Sequence, residues 1–483
     1  MTTRWLAPCL LGVSVAACWP EVERKAPLAD GSSGTGGTGG TGGTGGTGDT
    51  GGTGGNGGNG GNGGNAGTSV SITDARPVEG GPGAKPSDAA AGVDGSRDVS
   101  NEGSTDLGPT PPRPGVNFPF PQNRRSPYCA YPSKFKNDDV RAAYAKWKTT
   151  TVTANGARGH LRVQRVNPDP PFPENSTVSE GIAYGMTLAV YMGDQELFDE
   201  LWKYEQLFLD DRGLMNWEIH ADGMQILGEG AATDADEDMA WALLMADRQW
   251  GGRGTLGDTY LNNGKGQIEK IWQNEILEGK LVKPGDKWGD WNTTNPSYYA
   301  PAYYRVFGQV TGNTGWSDVV KTSYDTIDNT LNDANGNKSN GLVPAWCTSQ
   351  GAPNNGANYQ YDSCRTPFRI ALDYCYFGEP RAKAYLAKTS SFFSQIGAYK
   401  IVDGYALNGA PQPANASGQS AAFVGPAGVG AMSDAIYQAF IDGAYTNVAT
   451  LNLLVGGTYY ELSWTALSLL MMSGNFLDYT AYK

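Results

Sequence analysis

The chain has 483 residues, 39% apolar and 11% aromatic, with a formal net charge of −13. An acidic chain without a basic run is not built for nucleic acid or for a polyanionic substrate. Its 13 Trp and 25 Tyr suit a neutral ligand with flat, weakly apolar faces, such as a sugar chain, once the core has taken most of them.

Residues 1–18 carry Arg4, an apolar run from Leu10 to Val13, and Val15-Ala16-Ala17-Cys18. This resembles a bacterial lipoprotein signal ending in a lipobox, which implies cleavage before Cys18 and a lipid anchor on that thiol. The apolar run is too short to span a bilayer. Ordinary secretion is the alternative, and either route exports the chain. Trp19 and Pro20 offer no retention acid, which points to the outer membrane.

Residues 19–115 read as a linker. Gly-Gly-Thr and then Gly-Gly-Asn triplets fill Gly34 to Asn65, followed by a Pro- and Ala-rich mixture. No apolar period exists, so no core can form. Such a coil separates its ends by roughly 5–6 Å times the square root of its residue number. The triplets lack Pro, which excludes a collagen-like reading.

Residues 116–483 keep one composition and read as one all-α domain. Apolar residues recur at helical spacing over 137–149, 179–192, 194–209, 234–250, 258–279, 297–311, 316–334, 362–378, 380–397, 417–430, 432–445 and 459–473. Twelve helices make six hairpins, and six hairpins in a ring make an (α/α)6 barrel. The long loops 281–296 and 335–361, rich in Gly, Asn, Pro and Trp, are where such a scaffold builds a site.

Beyond Cys18 the chain has Cys129, Cys347, Cys364 and Cys375, without metal-site spacing, and only two His, so no zinc centre is expected. In an exported protein these thiols are expected to form two disulfides. Cys364 and Cys375 on one helix would lie about three turns apart, too far to bridge. Of the remaining pairings the reading leans to Cys347–Cys364 with Cys129–Cys375.

Three acidic places stand at helix starts. Glu180, between Ser179 and Gly181, either favours a helix N-terminus or is a proton donor whose pKa rises in a cleft. Asp234, Asp236 and Asp238 open like a calcium loop, but Met239 and Met245 occupy the positions that need Gly and Glu. The plainer reading is capping by Thr233 with acids in the first turn, which leaves Asp234 free to face a ligand. Asp362 precedes Arg365 by three residues, which on a helix makes them neighbours and would hold the carboxylate ionised as a base. Two carboxyls in opposed protonation states, in an aromatic groove, are the minimum for glycoside hydrolysis. His160 and His220 have no partners in sequence that would make a nucleophile set, and the Gly repeats do not form a phosphate loop.

The stretches TVSEGIAYGMTLAVY, GLMNW, AATDADEDMAWALLMADRQWG, LVKPGDKWG, TNPSYYAPAYY, GLVPAWC, YDSCRTPFRIALDYCYFGEPRAKA, IVDGY and SGNF resemble glycoside hydrolase family 8, especially its clostridial-type endoglucanases. The resemblance implies an (α/α)6 barrel, inversion at the anomeric carbon and an endo-acting β-1,4-glucanase on cellulose or mixed-linkage β-glucan. Xylanase and chitosanase of the same family are alternatives, as is a non-catalytic glycan-binding lipoprotein. By motif, Glu180 is implied as general acid, Asp362 as general base and Asp234 as the residue that binds and distorts the sugar. Arg365 would orient Asp362. Trp217, Trp288, Tyr298, Tyr459 and Tyr460 match aromatic or tyrosine positions around the sugar chain. Lys287 stands where the endoglucanases usually have Arg, which would alter a hydrogen bond to a sugar hydroxyl. No metal or organic cofactor is implied. The expected partners are a polysaccharide and, through Cys18, a membrane, with the protein itself a monomer.

Overall fold

The structure, a computed structural model of the chain, describes residues 118–168, 172–412, 418–454 and 456–482. The expected signal segment with Cys18, and the linker, lie outside the described residues. The twelve helices are α1 (Asn137–Thr151), α2 (Ser179–Met192), α3 (Gln195–Glu205), α4 (Thr233–Gln249), α5 (Tyr260–Asn274), α6 (Pro301–Thr311), α7 (Trp316–Thr330), α8 (Thr366–Phe377), α9 (Pro380–Ile396), α10 (Ala421–Ala431), α11 (Gln438–Leu451) and α12 (Tyr459–Met472). Each expected helix is present, with ends shifted by a few residues. The helix expected over 258–279 stops at Asn274, where the chain turns extended.

Short strands were not legible in the sequence. They are β1 (Val152–Thr153), β2 (Arg162–Val163), β3 (Thr177–Val178), β4 (Glu218–Ile219), β5 (Ile226–Gly228), β6 (Ile276–Leu277) and β7 (Leu281–Val282). They form antiparallel sheets β1–β2, β3–β4–β5 and β6–β7. The middle sheet ties the residues just ahead of α2 to those that follow α3.

Burial separates two kinds of helix. In α2 every residue but Glu180 and Met192 is buried, as it must be for a helix packed on all sides. In α7 one face buries Val319, Ser323, Tyr324 and Ile327, while Asp318, Lys321 and Asp328 face solvent. The all-buried kind forms an inner ring: α2 packs on α4, α6 on α8, α8 on α10, α10 on α12, and α12 on α2. Between α4 and α6 the ring closes through Trp241 and Tyr303, stacked with centroids 4.3 Å apart. The one-faced kind lies outside, each helix packed on its hairpin partner, with α1 on α12. The result is an (α/α)6 barrel. Close approach needs small residues: a Cβ on Gly425 of α10 would lie 2.2 Å from Ser468 Oγ of α12.

The inner helices run parallel, so their N-termini share one end of the barrel and their C-termini the other. The C-terminal end is sealed by a strap. Phe118 N–H donates to Gln249 Oε1 at the end of α4 (2.5 Å), and its ring stacks on Tyr479 (4.2 Å). Arg124 N–H donates to Gly474 O beyond α12 (2.8 Å), and Ala130 N–H to Met432 O beyond α10 (2.7 Å). Cys129 is disulfide-bonded to Cys375 near the end of α8.

That bond is the expected Cys129–Cys375 pair. The expected Cys347–Cys364 bond is absent, and both are free, buried thiols. Cys347 is held in a loop that pairs with Thr294 (2.9 and 3.0 Å), while Cys364 Sγ lies 3.3 Å from Tyr361 O in the turn before α8. Burial pushes the Cys364 thiol up to about 12, which leaves it inert.

Candidate active site

Six inner-helix N-termini converge on one end, and their dipoles favour negative charge there. A cleft with about 190 Å³ of free space opens at this end. Glu180 (start of α2), Asp234 (start of α4), Asp362 (turn before α8) and Tyr459 and Tyr460 (start of α12) all line it, together with Trp217.

Arg365 lies beneath the carboxylates, almost fully buried. Its Nη1 bonds both Glu180 Oε1 and Asp234 Oδ2, the latter at 2.5 Å. Its Nε and Nη2 donate to Ser297 Oγ at 3.2 and 2.9 Å. Asp362 Oδ1 is 3.9 Å from Nη2. The expected Asp362–Arg365 pair is therefore a shared arrangement, in which the tightest arginine contacts go to the other two acids. The i,i+3 spacing presupposed a helix, but Asp362 sits in a turn and α8 begins only at Thr366.

Glu180 also accepts hydrogen bonds from Tyr184 (2.8 Å, to Oε1) and Tyr459 (2.7 Å, to Oε2). Burial raises its pKa to about 7; the Arg365 charge opposes the rise, Asp234 adds to it, and the two tyrosines oppose it. Glu180 thus keeps a proton near neutrality beside a fixed cation. Burial also pushes Asp362 up, countered by Arg365, reinforced by Asp234 and countered again by a hydrogen bond from Trp346.

The remaining expected residues separate. Trp217 presents its indole to the cleft and rests on Gly228, where a Cβ would lie 2.1 Å from the ring. Its carbonyl accepts from Ser179 N–H (3.0 Å), coupling the indole to the residue before Glu180. Trp288 packs on Trp346 (5.4 Å) in a small aromatic cluster that reaches the cleft through Asp362. Tyr298 is a correction: it is 1% exposed and lies under the Arg365 guanidinium (5.0 Å), so it cannot offer a face to a sugar here. Lys287 also departs from expectation, because it pairs with Asp210 (3.0 Å) and Asp211 (2.7 Å) and does not line the cleft.

The acids after Asp234 are a second correction, since they are buried and partnered instead of capping a solvated turn. Asp236 accepts from Gln267 (2.8 Å), Glu237 from Tyr304 (2.7 Å), and Asp238 from Arg369 (3.0 and 2.9 Å). Thr233 is the first residue of α4 and makes no cap. The cleft also contains Arg165, Phe172, Gln360, Tyr361, Ser420 and Glu461, which the sequence reading missed. Tyr361 and Glu461 adjoin Asp362 and the Tyr459-Tyr460 pair in sequence, which could have marked them; the other four stand in no acidic or aromatic pattern. Among the described residues no group of three or more His, Cys, Asp or Glu could hold a metal ion.

A family model, Glycosyl hydrolases family 8, matches residues 119–474. The chain is 40% identical over 379 residues to Endoglucanase 2 of Ruminiclostridium josui, covering 76% of this chain and 78% of that protein. It is 38% identical over 343 residues to Endoglucanase A of Acetivibrio thermocellus, covering 70% and 69%. The solved beta-1,3-1,4-glucanase from Paenibacillus sp. X4 superposes with TM-score 0.67 at 30% identity, over 75% of this chain and 99% of that one. A cold-adapted family 8 xylanase at 22% identity and TM-score 0.60 shares the fold. With a barrel of this kind, an arginine-bridged set of three carboxylates at its rim and a family match across nearly the whole described region, the chain belongs to glycosyl hydrolase family 8.

Proposed function

We propose that the protein is an inverting endo-β-1,4-glucanase acting on cellulose or mixed-linkage β-glucan. The observation that carries the reading is Glu180: a carboxyl at about pKa 7, buried at the wall of an aromatic-lined cleft and held by Arg365 and two tyrosines. Oε1 is committed to Arg365 and Tyr184, so Oε2, on the Tyr459 side, carries the proton that passes to the glycosidic oxygen. Asp362 takes a proton from the water that attacks the opposite face of the sugar. Asp234 grips the sugar at the cleavage point. Names and activities of the endoglucanase and beta-glucanase relatives support this substrate class over xylan or chitosan.

Reducing-end release from carboxymethyl-cellulose, barley β-glucan, xylan and chitosan tests it. Activity is expected on the glucans, with kcat/KM falling as pH rises through about 7. Glu180→Gln should lower turnover by about 10³–10⁴-fold while cello-oligosaccharide still binds. Activity confined to xylan or chitosan would overturn the substrate. Binding without cleavage would replace the enzyme by a glycan-binding protein.

We also propose export and a lipid anchor on Cys18, supported by the lipobox-like sequence. Labelled palmitate should enter the full-length protein and be lost in Cys18→Ala; equal labelling of both would remove the anchor.

A further inference from the structure

Arg365, just ahead of α8, and Arg369 within it form a ladder across the barrel bore with two aspartates of α4. Arg365 pairs with Asp234 at the cleft, and one turn deeper Arg369 pairs with Asp238. The helices are not ring neighbours, because α6 lies between them, so both rungs cross the interior. Each passes an aromatic ring from that side: Arg365 lies 5.0 Å from Tyr298 and Arg369 5.9 Å from Tyr303.

The rungs differ in kind. In the upper rung one nitrogen, Nη1, is divided between Glu180 and Asp234 while Nε and Nη2 meet Ser297 Oγ at 3.2 and 2.9 Å, so Ser297, and neither carboxylate, fixes the guanidinium plane. In the lower rung Nη1 and Nη2 each meet their own oxygen of Asp238, at 3.0 and 2.9 Å, in the bidentate geometry that does fix it. Arg369 Nη2 also points at Asp234 O (3.5 Å). Both residues are buried, at 3% and 6% exposure, and neither lines the cleft.

We infer that Arg369 and Asp238 are positioning residues for hydrolysis: the lower rung locks α8 against α4 at the height where Arg365 reaches Glu180 and Asp234 together. This rests on the glucanase reading above. The lower rung needs no contact with substrate, since it acts through the placement of Arg365.

The groups that face Glu180 are Tyr184 on α2, Asp234 on α4, Arg365 ahead of α8 and Tyr459 on α12. Arg369 and Asp238 are not among the main groups that shift Glu180, so a change on removing them reaches it through Arg365 or through Asp234, whose carbonyl Arg369 meets. The test is the double variant R369M/D238M in the full chain. Replacing both charges together leaves no unpaired buried ion and keeps a folded core. The expected result is a normal thermal transition, kcat lowered by about 10–100-fold with KM little changed, and the alkaline limb of kcat/KM moved upward as Glu180 loses its cation. R369K, which keeps the charge but not the fork, should fall between wild type and the double variant.

An unchanged kcat in the folded double variant would overturn the inference. So would a lowered kcat with an unmoved limb, because a merely structural role scales activity without shifting it. If the wild type releases no reducing ends, the glucanase reading itself fails. The ladder is then judged by carboxyl-¹³C NMR, with the Glu180 resonance assigned by its loss in E180Q. A titration of Glu180 identical in wild type and double variant would sink it.

Discussion

Helix α4 feeds two acid clusters that share a composition and differ in use. On its bore-facing side Asp234 joins Glu180 and Asp362 around Arg365, at the wall of a cleft. Two residues on, Asp236 faces the outer ring, where it meets Gln267 of α5 and lies among Glu275, Glu205 and Asp286. Burial raises Glu180 and Asp362 in the first place and Asp236, Glu205 and Glu275 in the second. It takes Glu205 to about 7 and Glu275 to about 8, so a raised pKa alone does not mark a catalytic centre. The bore cluster differs in having a fully buried arginine, tyrosine hydroxyls aimed at its proton carrier, and access to solvent. The outer cluster does not line the cleft and works as a hydrogen-bonded polar core between α3, α4 and α5.

The sharpest way to break this contrast is to disable one member of each. Asp362→Asn should lower turnover by about 10²–10⁴-fold. Added azide should restore it and give a glycosyl azide of inverted configuration, detected by NMR of the product. Rescue with retained configuration would remove Asp362 as the base.

A smaller effect belongs to the outer cluster. Glu275 is held up first by burial and then by Asp286, against Thr233, Asp236 and Lys283. Its folded pKa of about 8 lies above the unfolded value of about 4.3. The folded state therefore binds the extra proton. The associated stability is complete below the unfolded pKa and is lost as pH rises through about 8. Glu205 adds the same sign through about 7. Melting temperature should fall across this window in the wild type and fall less in Glu275→Gln, with glucan hydrolysis near neutrality unaffected. Equal pH dependence of melting in both proteins would remove Glu275 from that role.

The helices were legible because the inner and outer kinds both repeat their apolar residues every three to four positions over ten or more residues. The two- and three-residue strands were not, since no alternation can be read from Thr177–Val178 or Glu218–Ile219. The β3–β4–β5 sheet that couples Trp217 to Glu180 thus had no local signal. Glu180, Asp234 and Asp362 stood out as acids at helix starts, and the barrel gathers all three at one rim. Arg365 was assigned to Asp362 by proximity in sequence, whereas its short contacts reach Glu180 and Asp234, 185 and 131 residues away. Cys347 and Cys364 were expected to pair because four cysteines in an exported chain suggest two disulfides, but each is buried in its own loop as a free thiol.

The strap beneath the barrel bears on how the enzyme can be held. The cleft opens where the inner helices begin, and Phe118 enters where they end, so the described chain starts at the end opposite the cleft. A pull on that end would peel hydrogen bonds only as far as Cys129, where the covalent link to Cys375 passes the load into α8. The strap acts as a strain relief: a load on Phe118 would reach the floor of the barrel and α8 before it reached the cleft.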